Sequence, residues 1–282
     1  MPQPIPPWEH RSIDELRRQF DIERELAQRL RDAADRGGLY SSVYEEFLRR
    51  VPHYREEQHD QAAMDALVAL QLRLLDPFLA SRPRFLEVGG AGGALTSELS
   101  RRLPRVIAIE AAAPDTAPPP NVEVIVTDSP PYPLPDGCVD LAFSSHVIEH
   151  LVPADAFFHL REMRRLLAPY GQYVCVTPNR LWGPHDVSRY FTDRPEGLHL
   201  REYTHNALIR LMKKAGFQSC RAIARLGTTG DRPSHLVTRS VEALLAPVPP
   251  AQRRSLLQKL SRGRAEPLRF LEQVIVVGHA NR

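Results

Sequence analysis

A short apolar run breaks into glycines and then restarts as a helix between Arg84 and Thr96, in the order Arg-Phe-Leu-Glu-Val-Gly-Gly-Ala-Gly-Gly-Ala-Leu-Thr. The apolar residues Phe85, Leu86 and Val88 suit a buried parallel strand. Glycines then allow a sharp turn and a close approach of the backbone to a ligand. A strand, a glycine turn and a helix N-terminus together predict a nucleotide-binding corner, with a glycine turn that holds no ligand as the plainer alternative.

The composition is that of an ordinary globular protein, with 282 residues, 43% hydrophobic residues and a net charge of +3. This charge is too small to imply nucleic acid or a membrane surface as a partner. The N-terminus shows no basic segment followed by an apolar stretch, and no apolar run approaches membrane-spanning length. The three cysteines are widely separated and are expected to be free thiols in a reducing compartment. We therefore expect a cytoplasmic protein.

Helical periodicity dominates the beginning of the chain, where apolar residues recur at helical spacing over 12–36, 42–50 and 62–79. Ser12 followed by Glu15 predicts a capping-box start for the first helix. We expect residues 1–80 to form an N-terminal helical cap or extension.

From Arg84 onward the pattern alternates between strands and helices. This alternation predicts an α/β fold over residues 81–282, a Rossmann-like and mainly parallel seven-stranded sheet with helices on both faces. Helical patterns over 233–266 predict a helical insertion before the last strand. After the first strand, the expected strands lie at 106–110, 122–128, 140–145, 171–177, 217–226 and 274–278.

Three acidic residues stand where successive strands should end. Glu87 lies just before the glycines, Glu110 closes the second strand and Asp128 closes the third. Ligands of open parallel sheets bind outside the carboxyl ends of the strands. An acid after the second strand can accept hydrogen bonds from ribose hydroxyls, and one after the third can accept from an adenine amine. The pattern suits an adenosine held without a pyrophosphate.

Five stretches follow one another in a fixed order: Leu86–Gly93, Asp128–Asp140, Ser144–Leu151, Arg165–Tyr173 and Leu211–Phe217. In this order they resemble the motifs of the class I S-adenosylmethionine-dependent methyltransferases, over about residues 84 to 220. The chain departs from the family's pattern in having Ala91 where a central glycine is usual. The resemblance implies S-adenosylmethionine as the cofactor.

Carried over position by position, the resemblance also implies a cofactor site along the strand ends. The implied ligands are Glu87, Gly89, Gly90, Ala91 and Gly93 for the amino-acid end, Glu110 for the ribose, Asp128 and Ser129 for the adenine, and Ser145 and His146 for the methionine side.

The segment 180–203 is the expected acceptor loop, because this fold often inserts its acceptor-binding cap after the fifth strand. Its Gly-Pro-His-Asp and His-Leu-Arg-Glu-Tyr sequences resemble bacterial methyltransferases of glycans and other small hydroxylated metabolites. Methylation of a hydroxyl needs a general base, and the candidates are His150, His185, Asp186 and His199. The alternatives are a packing or capping role for His150 and a loop fixed by its own hydrogen bonds. The spacing of these residues matches no recognised ligand pattern, so no metal is expected.

The sequence therefore predicts an O-methyltransferase that acts on a small molecule such as a sugar or another secondary metabolite. N-methylation and a catalytically silent binding module remain as alternatives. A nicotinamide dehydrogenase would show a different glycine spacing, and an RNA methyltransferase would show a basic face or an RNA-binding module. The helical segments at 12–79 and 235–262 suit packing layers or a homodimer surface. Alternatively, the N-terminal helices close over the cofactor and bring Tyr40, Tyr44, His53 and Tyr54 near the acceptor.

Overall fold

A computed structural model of the chain describes residues 5–6, 9–57, 61–79, 84–90, 93–114, 116–225, 231–232, 235–261 and 273–280. Ala91, one of the expected cofactor ligands, lies outside these residues, as do parts of the expected helical insertion and the end of the strand expected over 217–226.

A seven-stranded sheet forms the centre of the described chain, with strand order β3-β2-β1-β4-β5-β7-β6. The strands β1 to β5 run parallel, whereas β7 is antiparallel to both of its neighbours. The expectation of a mainly parallel Rossmann-like sheet is confirmed. The strands are β1 Arg84–Val88, β2 Arg105–Glu110, β3 Val122–Val126, β4 Val139–Ser145, β5 Leu167–Pro178, β6 Ser219–Ala222 and β7 Gln273–His279. A separate two-stranded pairing joins Ala224–Arg225 to Asp231–Arg232.

Helices cover both faces of this sheet because the strand side chains alternate between two apolar layers. In β1, Leu86 and Val88 belong to the core shared with α1, α2, α6 and α7, whereas Phe85 faces α4 and α5. The helices are α1 Ile13–Asp32, α2 Leu39–Arg50, α3 Pro52–Glu57, α4 Gln61–Leu79, α5 Ala94–Ser100, α6 Pro153–Leu166, α7 His205–Lys214, α8 His235–Leu245 and α9 Pro250–Ser261. Two short 3₁₀ helices span Ile148–His150 and Val187–Tyr190.

The capping box read from the sequence is confirmed at the start of α1, and polar caps and glycines bound other helices. Ser12 and Glu15 make both hydrogen bonds of the capping box at the start of α1. Thr204 caps α7, and Gly216 leaves that helix at a φ of +99°. Among the described residues, no helix is both long enough and apolar enough to cross a membrane.

Two elements differ from the sequence expectation. The six-residue α3 is too short to show a helical period, so periodicity does not reveal it. The strand β5 begins at Leu167 rather than Gly171, because Leu167 already pairs with Val139 before an irregularity shifts the register. Tyr170 adopts a φ of +62° within this irregularity, and such a bulge leaves no periodic signal in the sequence.

Candidate active site

The glycine corner has the predicted strand, turn and helix. Gly89 follows β1 at a φ of +71°, and its N–H donates to the Ile109 carbonyl of β2 at 2.9 Å. Gly93, at a φ of +73°, precedes α5 and donates its N–H to the Gly90 carbonyl at 3.2 Å. Both glycines adopt the left-handed region, which residues with a Cβ atom rarely enter.

Two carboxylates meet beside this turn. The N–H of Gly90 donates to Glu110 Oε1 at 2.8 Å. A Cβ at this position would lie 2.8 Å from the Cδ of Glu87 and 2.9 Å from Glu110 Oε1, so only glycine leaves room for both acids. Glu87 is buried, and the Thr96 hydroxyl donates to its Oε2. Burial raises the pKa of Glu87 to about 7, and the nearby Glu110 adds to this rise.

Asp128 lies two residues beyond β3 and binds the N-terminus of α2. Its Oδ1 accepts the N–H of Gly38 at 2.9 Å, and its Oδ2 accepts the N–H and the hydroxyl of Ser41 at 2.9 and 2.7 Å. Burial alone would raise the pKa of Asp128, but hydrogen bonds from Ser41, Gly38 and Ser129 outweigh it and hold the pKa below its usual value. The expected adenine ligand therefore also anchors the N-terminal helical section.

The loop after β4 lies against the glycine corner. Val147 packs over Gly89, since a Cβ on that glycine would stand 2.6 Å from the Val147 Cγ2. Ser145 ends β4, and the exposed His146 follows at a φ of +57° with its Nδ1 3.1 Å from Glu149 Oε1. The same loop continues into the 3₁₀ helix that carries His150, so the expected cofactor site and the candidate base share one segment.

A cavity of about 310 Å³ lies between α1, α2, this 3₁₀ helix and the acceptor loop. All four predicted catalytic residues line it, namely His150, His185, Asp186 and His199. Tyr44 and Tyr54 line it as well, as the closing-helix hypothesis predicts. Tyr40 instead bonds Asp155 and the N–H of Val152 outside the cavity lining, and His53 lies 3.2 Å from the Arg11 guanidinium.

His150 and His199 face each other with ring centroids 4.9 Å apart. His150 Nδ1 donates to the Leu198 carbonyl at 3.0 Å, and His199 Nδ1 bonds Glu202 Oε1 at 2.9 Å. These bonds leave Nε2 of each ring for other partners.

The pKa values of His150 and His199 are shifted in opposite directions. Burial lowers the pKa of His150 to about 4, and the neighbouring His199 lowers it further. Burial would also lower the pKa of His199, but its hydrogen bond to Glu202 and the charges of Glu149 and Asp186 raise it to about 9. At neutral pH His150 is therefore a neutral acceptor, whereas His199 holds a proton.

His185 and Asp186 make the hydrogen bonds that shape the acceptor loop. The Asp186 carboxylate accepts the N–H groups of Ser188 and Gly197, both at 3.1 Å. His185 Nε2 donates to the Asn179 carbonyl at 2.8 Å. These contacts match the alternative of a loop fixed by its own hydrogen bonds.

Comparison with known proteins agrees with this geometry. A family model described as a methyltransferase domain matches residues 54–221, more than half of the chain. The chain belongs to the class I S-adenosylmethionine-dependent methyltransferases. A probable S-adenosylmethionine-dependent methyltransferase of Mycobacterium tuberculosis, found in two strains, is 36% identical over 98 residues. This match covers 35% of the present methyltransferase and 34% of the relative, so it spans about a third of the length of these curated relatives.

Solved structures share the fold of this methyltransferase. A methyltransferase from Archaeoglobus fulgidus is 19% identical, with a TM-score of 0.51 over 76% of this chain and 93% of the other. A chain of the complex between the Haloferax volcanii Trm112 methyltransferase activator and a putative methyltransferase is 16% identical, with a TM-score of 0.52 over 79% and 95%. At these identities the likeness concerns the fold alone.

The residues around the glycine corner fit the family's cofactor. The corner has two carboxylates, the buried Glu87 in β1 and Glu110 at the end of β2. They lie beside the bare backbone of Gly90, where a Cβ would clash with both. Such a corner suits a cationic amino group and ribose hydroxyls better than a phosphate. Glu87, Gly90 and Glu110 are the residues of this methyltransferase that would hold them.

Three buried acids around the acceptor cavity escape the sequence reasoning: Glu23, Glu149 and Glu202. Glu149 directly precedes His150, and Glu202 follows His199 by three residues, both within the quoted motifs. Their closeness to a histidine is the signal by which the sequence could have indicated them. Glu23 lies on α1 and gives no local signal, because its burial comes from packing α1 against the acceptor loop, where it accepts the N–H of Leu198. Burial and the charge of Asp186 raise the pKa of Glu23 to about 7.

Proposed function

We propose that this protein transfers a methyl group from S-adenosylmethionine to a hydroxyl of a small polar molecule held in the acceptor cavity. The observation that carries this proposal is His150, which lines the cavity and whose Nδ1 is fixed by a carbonyl. A hydroxyl keeps its proton at neutral pH, so its methylation benefits from a positioned base.

When bound, S-adenosylmethionine supplies a methyl group on a positively charged sulfur, which needs no further activation. The chain's own residues bind and orient it through Glu87, Gly90 and Glu110. The cavity holds the acceptor and excludes water, and His150 Nε2 takes the hydroxyl proton. Bound at the glycine corner, the cofactor would supply the methyl carbon to the acceptor oxygen, and its sulfur would keep the electron pair of the broken carbon–sulfur bond.

The lining of the cavity favours a polar acceptor with several hydrogen-bonding groups. Arg11, Glu23 and Arg189 are charged, and Tyr44 and Tyr54 add aromatic faces. The buried Tyr44 hydroxyl has no hydrogen-bond partner among the described residues. A buried hydroxyl without a partner is costly, so a substrate hydroxyl is a fitting partner. At about 310 Å³ the cavity matches the lower end of small-molecule sites.

The experiment has two steps, cofactor binding and then turnover. Calorimetric titration with S-adenosylhomocysteine should give one site per chain, and the absence of binding would refute the proposal. A panel of sugars, polyols, phenols and matched amines is then incubated with S-adenosylmethionine, and methylated products are identified by mass spectrometry. Methylated hydroxyls support the proposal. Products methylated only on nitrogen favour the N-methylation alternative, and binding without turnover on any acceptor favours a silent module.

The variant His150→Asn separates binding from chemistry. We expect it to retain S-adenosylhomocysteine affinity within about twofold and to lose at least 100-fold in kcat, in line with the usual contribution of a positioned base. His10→Asn is the matched control, because His10 is exposed and does not line the cavity. An unchanged kcat in His150→Asn would remove this histidine from the reaction.

A further inference from the structure

We propose that Glu149, His150 and His199 bind a divalent first-row transition-metal ion at the wall of the acceptor cavity. The role of the ion in catalysis rests on the proposed function, but the test of ion binding does not. It departs from the sequence expectation of no metal. The reason is that the acceptor loop brings His199 to the Glu149–His150 pair, which no spacing along the chain reveals.

The three side chains already converge. One ligand atom from each lies within 4.8 Å of those of the other two. Ligands bound to a single zinc-like ion at about 2.1 Å lie roughly 3 to 4 Å apart. Binding therefore requires these side chains, from a 3₁₀ helix and a loop, to draw together by about an ångström.

Both histidines are oriented as metal ligands usually are. The Nδ1 of His150 donates to a backbone carbonyl, and the Nδ1 of His199 bonds the buried carboxylate of Glu202. Such bonds orient the two rings, and His199, which holds a proton at neutral pH, releases it when its Nε2 binds the ion. Glu202 in turn accepts the N–H of His185 at 2.6 Å, so the supporting carboxylate is itself held.

Glu149 supplies the remaining ligand. It is fully buried, and its Oε2 accepts the hydroxyl of Thr177 at 2.9 Å. Its Oε1 has an ionic contact with His146 Nδ1 at 3.1 Å, but no described donor points at it in hydrogen-bond geometry. A buried carboxylate oxygen held by this ionic contact alone can exchange the contact for a bound cation.

Two imidazoles and one carboxylate select the class of ion. Imidazole nitrogens favour zinc, iron, nickel and copper over magnesium and calcium, and three protein ligands leave open positions for other groups. An acceptor hydroxyl that enters such a position loses its proton more readily because the ion stabilises the alkoxide. With the ion bound, His150 Nε2 is a ligand and no longer the base, so the hydroxyl proton passes to bulk solvent as the acceptor enters, before the cavity excludes water.

The test uses the full chain, stripped with a chelator and titrated with Co²⁺ by calorimetry and visible absorption. We expect one ion per chain and a d–d absorption band typical of nitrogen and oxygen ligands. Glu149→Gln and His199→Asn should each raise the Co²⁺ dissociation constant at least 100-fold, and His10→Asn should leave it unchanged. Glu202→Gln, which acts through His199, should raise it 10- to 100-fold.

S-adenosylhomocysteine titration of the same samples keeps the result interpretable. A variant that still binds S-adenosylhomocysteine is folded, so its loss of Co²⁺ reports on the metal site. Unchanged Co²⁺ affinity in Glu149→Gln and His199→Asn overturns the proposal, as does a wild-type chain that binds S-adenosylhomocysteine but no Co²⁺ below millimolar concentration. Co²⁺ binding without methylation of any acceptor would instead uphold the metal site and count against the proposed function.

Discussion

The Asp128 carboxylate accepts both the hydroxyl and the backbone N–H of Ser41, at 2.7 and 2.9 Å. This contact joins the carboxyl edge of the sheet to the first turn of α2. Ligand binding at that edge and the packing of the N-terminal helices are therefore physically connected. Because α2 also carries Tyr44, which lines the cavity, the Asp128 carboxylate is connected through this helix to the cavity wall.

The first prediction concerns the charge of Asp128. Replacing it in Asp128→Asn should cost about 1 kcal/mol of unfolding free energy at pH 7, because a carboxylate at a helix N-terminus is favoured by the helix dipole and by the N–H groups it accepts. Because folding lowers the pKa of Asp128, this contribution is complete at pH values above the ordinary aspartate pKa. It disappears as the pH falls through the folded-state pKa. Urea unfolding at pH 7 measures the loss.

Ser41→Ala is the matched variant, because it removes one of these hydrogen bonds and leaves the carboxylate in place. It should lose less stability than Asp128→Asn and retain most of the S-adenosylhomocysteine affinity, whereas Asp128→Asn should weaken that affinity severalfold. Equal stability of Asp128→Asn and wild type would mean that the contact to α2 contributes nothing.

The second prediction concerns Glu87, whose burial raises its pKa to about 7. A carboxyl group with a raised folded-state pKa disfavours folding once it ionises, so the fold loses stability as the pH rises from about 4.5 to 7. The uncharged Glu87→Gln escapes this loss. Relative to wild type, it should gain on the order of 3 kcal/mol between pH 4 and pH 8 in the absence of cofactor. It should also bind S-adenosylhomocysteine at least tenfold more weakly, because the amino group loses its anionic partner.

Urea unfolding of Glu87→Gln and wild type at both pH values checks this sign. Any constant effect of the amide on the Thr96 hydrogen bond cancels in the difference between the two pH values. A stability difference that stays the same at pH 4 and pH 8 would show that Glu87 does not titrate in this range.

The third prediction tests the close approach at Gly90. In Gly90→Ala the new Cβ would press on the Cδ of Glu87 and on Glu110 Oε1, so we expect a loss of 1–3 kcal/mol, typical of overpacking. S-adenosylhomocysteine affinity should fall at least tenfold, because both carboxylates must shift. Gly37→Ala is the control, since its Cβ would meet its nearest atoms at 3.6 and 3.9 Å, which is ordinary contact. Calorimetric titration of both variants with S-adenosylhomocysteine measures the effect. Equal affinities would contradict the close packing of Glu87 and Glu110 around Gly90.

The fold could be predicted from the sequence to a large extent because its signals are local. Apolar runs in β1 to β5 follow the alternation of a parallel sheet, acids stand near the ends of the first three strands, and glycines and caps mark the turns. The position of β7 between β5 and β6 has no such signal. Strand order at that edge depends on long-range pairing, which the apolar pattern of Gln273–His279 does not specify.

The candidate residues of the site could be predicted from the sequence, but the availability of their atoms could not. His150, His185 and His199 stand out by residue type, and the structure brings all three to one cavity. Which of their atoms are available depends on partners far away in sequence, such as the Leu198 carbonyl that holds His150. Glu23 enters the cavity only because a whole helix packs against the acceptor loop.

The fourth prediction concerns Tyr44, which lines the cavity next to His150 and whose buried hydroxyl has no hydrogen-bond partner among the described residues. Removing a buried hydroxyl without a partner relieves its desolvation cost, so Tyr44→Phe should be as stable as wild type or about 1 kcal/mol more stable. If the hydroxyl binds the acceptor, the same variant should raise the KM for the acceptor at least fivefold. Thermal unfolding and steady-state kinetics with an acceptor found in the screen measure the two effects.

Tyr203→Phe is the matched control for this prediction, because its hydroxyl is also buried without a partner among the described residues but does not line the cavity. It should show the same small change in stability and an unchanged KM. Unchanged or higher stability together with a raised KM in Tyr44→Phe would indicate a substrate contact rather than a packing role. A variant that loses stability and keeps its KM would show that the Tyr44 hydroxyl serves the fold, and the acceptor would then be positioned by other groups of the cavity.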